Sequence, residues 1–167
     1  MKAPDEAEFT EFATSAIRRL RRTAYLMCGD WHRAEDAAQD ALVKVYRRWH
    51  RIDRTQGLNG YAHKCLVTAV LDQSRRPWRR ERLVDADDPT PLPDPGGTID
   101  DRLLVVRALA GLPPSQRACV VLRHYADLSI EQTADILGIS TGGVKSQTSR
   151  ALTRLRELID HPERSAT

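Results

Sequence analysis

The residues best suited to bind a charged ligand are five arginines that fall within eight positions near the middle of the chain. A guanidinium group is a flat fork that pairs with phosphate oxygens, and an aromatic ring among such groups can stack on a base. A basic run is most often a solvated helix end, but this density favours nucleic acid. The cluster consists of Arg75, Arg76, Arg79, Arg80 and Arg82, with Trp78 among them.

A second candidate nucleic-acid surface lies towards the end of the chain. Ser129 can cap a short helix that ends at Leu137, Gly138-Ile139-Ser140 predicts a tight turn, and Thr141 opens a longer helix. This order is typical of a helix-turn-helix, although a hairpin that serves packing alone is the alternative. The polar side chains expected to point outward, towards base edges and phosphates, are those of Thr141, Lys145, Ser146, Ser149 and Arg150, beside Gly142.

A third candidate surface is polar and partly acidic. The helix predicted to begin near Trp31 has a stripe of mostly small apolar residues, which allows close packing against a neighbour. The polar face of this helix, which lies off the stripe, is either a solvated surface or a set of acceptors for the basic side chains of a partner. The residues off the stripe are Glu35, Asp36, Gln39, Asp40 and Val43.

The sequence contains no arrangement typical of an enzyme. Five histidines are scattered along the chain, and no Ser/His/Asp, Cys/His or HExxH pattern occurs. Cys28, Cys65 and Cys119 are odd in number and far apart, which argues against a disulfide framework or a zinc site and favours buried structural thiols. We therefore expect a protein that is not an enzyme, with no catalytic residue, no cofactor and no metal.

The candidate surfaces lie in two helical segments separated by a stretch rich in Pro and Asp. Residues 1–82 carry a net charge of +6, residues 83–100 a net charge of −5, and residues 101–167 a net charge of +2. Prolines at alternate positions disfavour helix and sheet and favour extended backbone. Strand-like alternation is absent. The predicted fold class is all-α, with two small helical domains, 6–82 and 101–161, joined by an extended acidic linker, 83–100.

Apolar periodicity sets the expected helices. In the first domain we expect one helix over 6–28, a second that begins near Trp31 and has Trp49 in its apolar stripe, and a third over about 61–76. A polar loop is expected at 51–60. In the second domain they span 101–111 and about 114–126, followed by the two helices of the helix-turn-helix.

Length and composition agree with this scheme. A chain of 167 residues holds one ordinary domain or two small ones, and hydrophobic residues make up 41% of it. No apolar run long enough to span a membrane and no secretory signal occur. We therefore expect a cytoplasmic protein without membrane contact.

Two sets of motifs resemble extracytoplasmic-function (ECF) RNA polymerase sigma factors, in the layout of their short SigE-like actinobacterial branch. The set that resembles region 2 of the family comprises Asp30, residues 34–40 and residues 72–76. The set that resembles region 4 comprises residues 112–117, 122–129, 132–140, 143–146 and 149–156. This resemblance implies that residues 6–82 are region 2 and residues 101–161 are region 4 of a factor that directs promoter-specific transcription initiation.

The resemblance also implies partners. Docking on core RNA polymerase, through the clamp coiled coil of its largest subunit, is expected at Asp36, Gln39 and Asp40. The flap of the second-largest subunit is a further expected contact, and an anti-sigma factor is a candidate partner. The acidic linker matches the family segment that passes through the polymerase cleft towards the RNA path.

Promoter DNA is the remaining implied partner. The loop 51–60 matches the family loop that holds a flipped base of the −10 element, and the −35 element is expected on the last helix, at Thr141, Lys145, Ser146, Ser149 and Arg150. The residues expected to bind the −10 element are Arg54, Asn59, Thr68, Arg75, Arg76, Arg79 and Arg80.

Two positions depart from the family pattern. Thr68 stands where many members carry Asn, which can pair bidentately with adenine, and Gln147 stands where many carry Arg. A threonine hydroxyl discriminates between bases less than that amide does, and glutamine in place of arginine removes one possible phosphate contact. The rival interpretation is a two-domain DNA-binding regulator that never contacts polymerase, which would leave the acidic surface without a role.

Overall fold

The computed structural model describes residues 3–53, 57–74 and 99–161, with side chains described for 5–53, 57–73 and 102–161. Within these ranges the chain forms α-helices and one π-helical turn, and no β-strand, which confirms the predicted all-α class. The helices are α1 Ala3–Cys28, α2 Trp31–Arg47, α3 Leu58–Ser74, α4 Ile99–Ala110, α5 Pro114–Val120, α6 Ile130–Leu137 and α7 Thr141–Asp160. They fall into two compact units, α1 to α3 and α4 to α7.

The first unit is a three-helix bundle built around alanines of α2. Ala34, Ala37, Ala38 and Ala41 are fully buried, so α1 and α3 both pack closely against this face of α2. At the α1–α2 corner Gly29 adopts a left-handed φ of 72°, and the Asp30 carboxylate accepts a hydrogen bond from the Arg33 amide at 3.0 Å. The spacing of small residues thus fixes which side of α2 points outward.

Aromatic rings close one end of this bundle. Trp49 lies just beyond α2, is 2% exposed and meets Phe9 edge-on at a centroid distance of 5.4 Å. Phe9 also meets Tyr46 edge-on at 5.0 Å. Edge-to-face geometry stabilises such ring pairs beyond the area they bury. The chain therefore stays anchored to α1 after α2 has ended.

Some helix ends differ from the predicted ones. α3 begins at Leu58, so Asn59 lies in the first turn of a helix and not in the predicted loop. α4 begins at Ile99, two residues before the predicted start. Helix ends fray and their boundaries vary by one or two residues, so differences of about this size are ordinary. Of the predicted linker, residues 83–98 lie outside the described residues.

The predicted helix over about 114–126 is present, but its second half is π-helical. The α-helix ends at Val120, and Val121–Tyr125 is π-helical, with the Ala126 amide donating to the Val121 carbonyl at 3.0 Å. Val120, Val121 and Leu122 are all buried. Successive residues of an α-helix are rotated by about 100°, so burial of three residues in a row means that this segment is enclosed on more than one side.

In the second unit α7 packs against α4, α5 and α6. Val144 and Ala151 of α7 are fully buried, and Leu158 near its end is 2% exposed. None of the helices in the described ranges is long and apolar enough to cross a lipid bilayer.

Candidate nucleic-acid and docking surfaces

The exposed face of α7 carries all five residues predicted there. Burial of Val144, Thr148 and Ala151 fixes the rotation of the helix, so the opposite side faces solvent. Gln147 is half-buried at the edge of this face. The exposed side chains, called the α7 face below, are those of Thr141, Lys145, Ser146, Ser149 and Arg150.

The turn that presents α7 is held by caps on both helices. The Ser129 hydroxyl accepts from the Gln132 amide at 3.0 Å, and the Gln132 side chain accepts from the Ser129 amide at 2.9 Å, which is a complete capping box. Gly138 ends α6 with a left-handed φ of 68°, and the Ser140 hydroxyl accepts from the Gly143 amide at 2.9 Å. The geometry is that of a helix-turn-helix with its second helix free on one side.

The acidic surface of α2 is exposed as predicted. Asp36, Gln39 and Asp40 point away from the buried alanines of the same helix, and we call them the α2 face. Val43, one turn further on, is 48% exposed and continues the face. Glu35 differs from these residues because its carboxylate lies 3.4 Å from the Arg21 guanidinium. The carboxylates that remain available to a partner are therefore those of Asp36 and Asp40.

A basic depression between α2 and α3 was not found from the sequence. Its lining combines cationic side chains with one tyrosine ring, a combination that suits single-stranded nucleic acid. The sequence contains the cations of this depression, but they come from the end of one helix and the middle of the next. No local pattern therefore groups them. The residues that line this open basic depression are Lys44, Arg47, Arg48, Tyr61, Lys64, Cys65 and Thr68.

Two side chains at the floor of the basic depression are protonated at neutral pH. Burial, more than any other cause, raises the pKa of the Cys65 thiol, even though Tyr61 and nearby cations act in the opposite direction. Burial also raises the pKa of Tyr61, with a contribution from its hydrogen bond to Cys65. Cys65 is therefore a neutral thiol and not a reactive thiolate.

The structure separates two residues that the sequence placed in one site. Thr68 is exposed at the basic depression, whereas Asn59 is exposed but does not line it. Nine residues on an α-helix amount to two and a half turns, so the two side chains leave α3 from opposite sides. A ligand that touches both must pass around the helix.

The remaining predicted −10 residues, Arg54, Arg75, Arg76, Arg79 and Arg80, lie outside the described residues. Within the described ranges, no group of three or more His, Cys, Asp or Glu side chains could hold a metal ion. Cys65 and Cys119 are buried and Cys28 is partly buried, and none of the three forms a disulfide bond with another described residue.

Two family models match the chain in the order of its two units. The model of sigma-70 region 2 matches residues 12–80, and that of sigma-70 region 4 matches residues 102–155. The RNA polymerase sigma-E factor of Streptomyces avermitilis is 36% identical over 160 residues, which covers 92% of this chain and 86% of the relative. The ECF RNA polymerase sigma factor SigM of Mycobacterium tuberculosis is 32% identical, and the match covers 95% of this chain and 81% of the relative.

Solved structures agree with these matches. The sigma factor RpoE of Bartonella quintana, crystallised with the anti-sigma factor NepR, superposes with a TM-score of 0.74 at 27% identity and covers 92% of this chain and 98% of that one. CnrH, in complex with the cytosolic domain of CnrY, superposes with a TM-score of 0.68 at 20% identity, which supports the fold alone.

Proposed function

This chain belongs to the ECF RNA polymerase sigma factors, and from that premise we propose which of its surfaces carries each step of initiation. A sigma factor binds core RNA polymerase and directs promoter-specific transcription initiation through recognition of the −10 and −35 elements. Its relatives are initiation factors and not enzymes. The assignments below concern individual residues of this chain.

We assign polymerase docking to the α2 face. Asp36 and Asp40 present carboxylates that no described residue neutralises, and Gln39 lies between them on the same exposed side. Acceptors in this arrangement suit a basic helical partner, such as the clamp coiled coil of the largest polymerase subunit. The partly exposed Val43 adds apolar contact area beside the charges.

We assign the −10 element to the basic depression, together with Asn59 and the arginines Arg54, Arg75, Arg76, Arg79 and Arg80. Lys44, Arg47, Arg48 and Lys64 can neutralise phosphates of a melted strand, and Tyr61 offers a ring for stacking. Thr68 lines the same depression, which supports its proposed contact with a base. Extraction of a base costs a few kcal/mol, which contacts of this kind must offset.

We assign the −35 element to the α7 face. Its side chains are short or cationic, all are exposed, and they lie in the first half of the second helix of a helix-turn-helix, the part that enters a major groove. Each bidentate base contact contributes about 1–3 kcal/mol of discrimination.

We propose that region 2 spans residues 6–82 and region 4 spans residues 101–161, with the acidic segment 83–100 as the linker between them. The flap of the second-largest polymerase subunit is the proposed partner of region 4. An anti-sigma factor is a further proposed partner, supported by the RpoE structure, in which a sigma factor is bound by one.

The observation that carries the proposal is the exposure of the α2 face opposite its buried alanines, in a chain matched by both sigma regions. The test is run-off transcription from genomic fragments by core polymerase with and without the purified chain. We expect discrete transcripts that appear only when the chain is added. Failure to bind core polymerase, or binding without any promoter-specific transcript, would overturn the proposal.

A further inference from the structure

Gly142 is an exposed glycine in the first turn of α7, and no contact with the described part of the chain requires a glycine there. A Cβ atom built on it would meet only the Ser140 Oγ atom, 3.9 Å away, which is an ordinary van der Waals contact. Its backbone does not have a positive φ, unlike that of Gly29 or Gly138. Alanine would therefore fit this position without strain.

The neighbouring glycines show the contrast. A Cβ on Gly143 would lie 3.1 Å from the Ser140 Oγ atom, which is the helix cap, so packing explains that glycine. A left-handed φ of 68° explains Gly138. Neither reason applies to Gly142.

Helical geometry places Gly142 at the centre of the α7 face. At 100° per residue, its Cα points between those of Lys145 and Ser146, one turn later, and Ser149 follows on the same line. A glycine within a helix is less favourable than alanine, because it loses more backbone entropy on folding. The chain thus keeps a helix-weakening residue on this face where its own packing does not require one.

We propose that Gly142 is a positioning residue for −35 recognition: duplex DNA occupies the space that a Cβ would fill. Glycine is used where a backbone must approach a ligand closely. Because Gly142 has no side chain, the start of α7 can approach the duplex more closely. Lys145 and Ser146 then contact the DNA deeper in the major groove. This inference rests on the proposed assignment of the α7 face to the −35 element.

The test compares full-length Gly142→Ala and Gly142→Val with wild type in the polymerase holoenzyme. The DNA probe is the fragment that wild-type holoenzyme transcribes most actively, with a matched fragment whose −35 element is scrambled. Thr153→Ala is the control, since Thr153 is also exposed on α7 but lies roughly 16 Å further along the helix. Arg150→Ala tests the underlying assignment.

We expect Gly142→Ala to weaken binding of the intact fragment about tenfold, within the range of a lost base contact, and Gly142→Val to weaken it further. For both Gly142 variants, binding of the scrambled fragment and of core polymerase should not change. Thr153→Ala should not weaken binding of either DNA fragment. The unfolding midpoint should stay the same or rise by a few degrees, as for Gly→Ala at a compatible site.

Three outcomes would overturn the inference. If Gly142→Ala binds like wild type while Arg150→Ala binds weakly, the inference is wrong and the −35 assignment stands. If neither variant affects binding, the −35 assignment itself is wrong and the inference falls with it. A lowered unfolding midpoint for Gly142→Ala would show that the fold, and not the DNA, requires the glycine.

Discussion

The Thr68 hydroxyl donates a hydrogen bond to the backbone carbonyl of Lys64, 2.9 Å away and one turn earlier on α3. A hydroxyl has one hydrogen to donate, so Thr68 can offer a bound base only its acceptor lone pairs and its methyl group. An asparagine, which the family resemblance leads us to expect at this position, both donates and accepts. We therefore expect the difference to affect the base preference of the −10 site proposed at the basic depression.

We predict that Thr68→Asn changes the preferred base at one −10 position, by about fivefold or more in relative transcription, because it adds a bidentate donor and acceptor. Thr68→Val, which keeps the shape and removes the hydroxyl, should stay within about threefold of wild type on every base. Run-off transcription from a promoter library randomised in the −10 element measures both. Identical preferences for Thr68→Asn and wild type would contradict this role.

The second prediction concerns the α2 face. Asp36→Asn should lower affinity for core polymerase about tenfold or more, because it removes a carboxylate that is free to pair with a basic partner. Glu35→Gln is the matched control on the adjacent residue. Its carboxylate already lies 3.4 Å from Arg21, so we expect a loss of less than about threefold. Equilibrium titration of labelled sigma factor with core enzyme measures both, and equal losses would count against the assignment.

The third prediction is a pH dependence that arises from His63. This side chain is fully buried, its Nδ1 atom lies 2.8 Å from the Asn59 carbonyl, and its Nε2 atom has no partner among the described residues. Burial lowers the pKa of His63 below its ordinary 6.5, although the hydrogen bond to the Asn59 carbonyl acts in the opposite direction, and the positive charge of Arg19 lowers it further. The folded state therefore holds the neutral ring, whereas the unfolded chain takes up a proton as the pH falls below 6.5.

Stability from this source is complete above pH 6.5 and is lost as the pH falls from 6.5 towards the folded-state pKa. In that window the free energy of unfolding should fall by up to about 1.4 kcal/mol per pH unit. Denaturant unfolding followed by tryptophan fluorescence measures it. His63→Leu should flatten the slope over this window, while His124→Gln, at an exposed histidine, should leave it unchanged. The same slope in His63→Leu as in wild type would refute the prediction.

The fourth prediction separates two exposed glycines of the helix-turn-helix. A Cβ on Gly138 would meet nothing within 4 Å, so only its φ of 68° opposes a side chain. Gly138→Ala should lower the stability of this region by about 1 kcal/mol, the usual cost of a left-handed alanine, whereas Gly142→Ala should not lower it. Hydrogen exchange of α6 and α7 amides reports the local free energy. Unchanged exchange in Gly138→Ala would argue against the strain.

Patterns of period 3.6 determined much of this fold from the sequence alone. The alanine spacing of α2 predicted both its buried side and its exposed acidic side, and the Ser129 cap, the Gly138 turn and the periodicity after Thr141 predicted the α7 face. These features could be found because each depends on residues within one or two turns of each other. Capping hydrogen bonds, left-handed turns and amphipathic faces are local in this sense.

Features that depend on distant residues required the tertiary structure. The basic depression combines the end of α2 with the middle of α3, and Asn59 lies apart from Thr68 because α3 begins earlier than its local sequence indicates. The π-helical turn at Val121–Tyr125 and the Arg21–Glu35 pair likewise depend on packing and on a second helix. Local sequence sets the rotation of a helix about its axis, whereas packing against its neighbours decides which helices meet and where each one begins and ends.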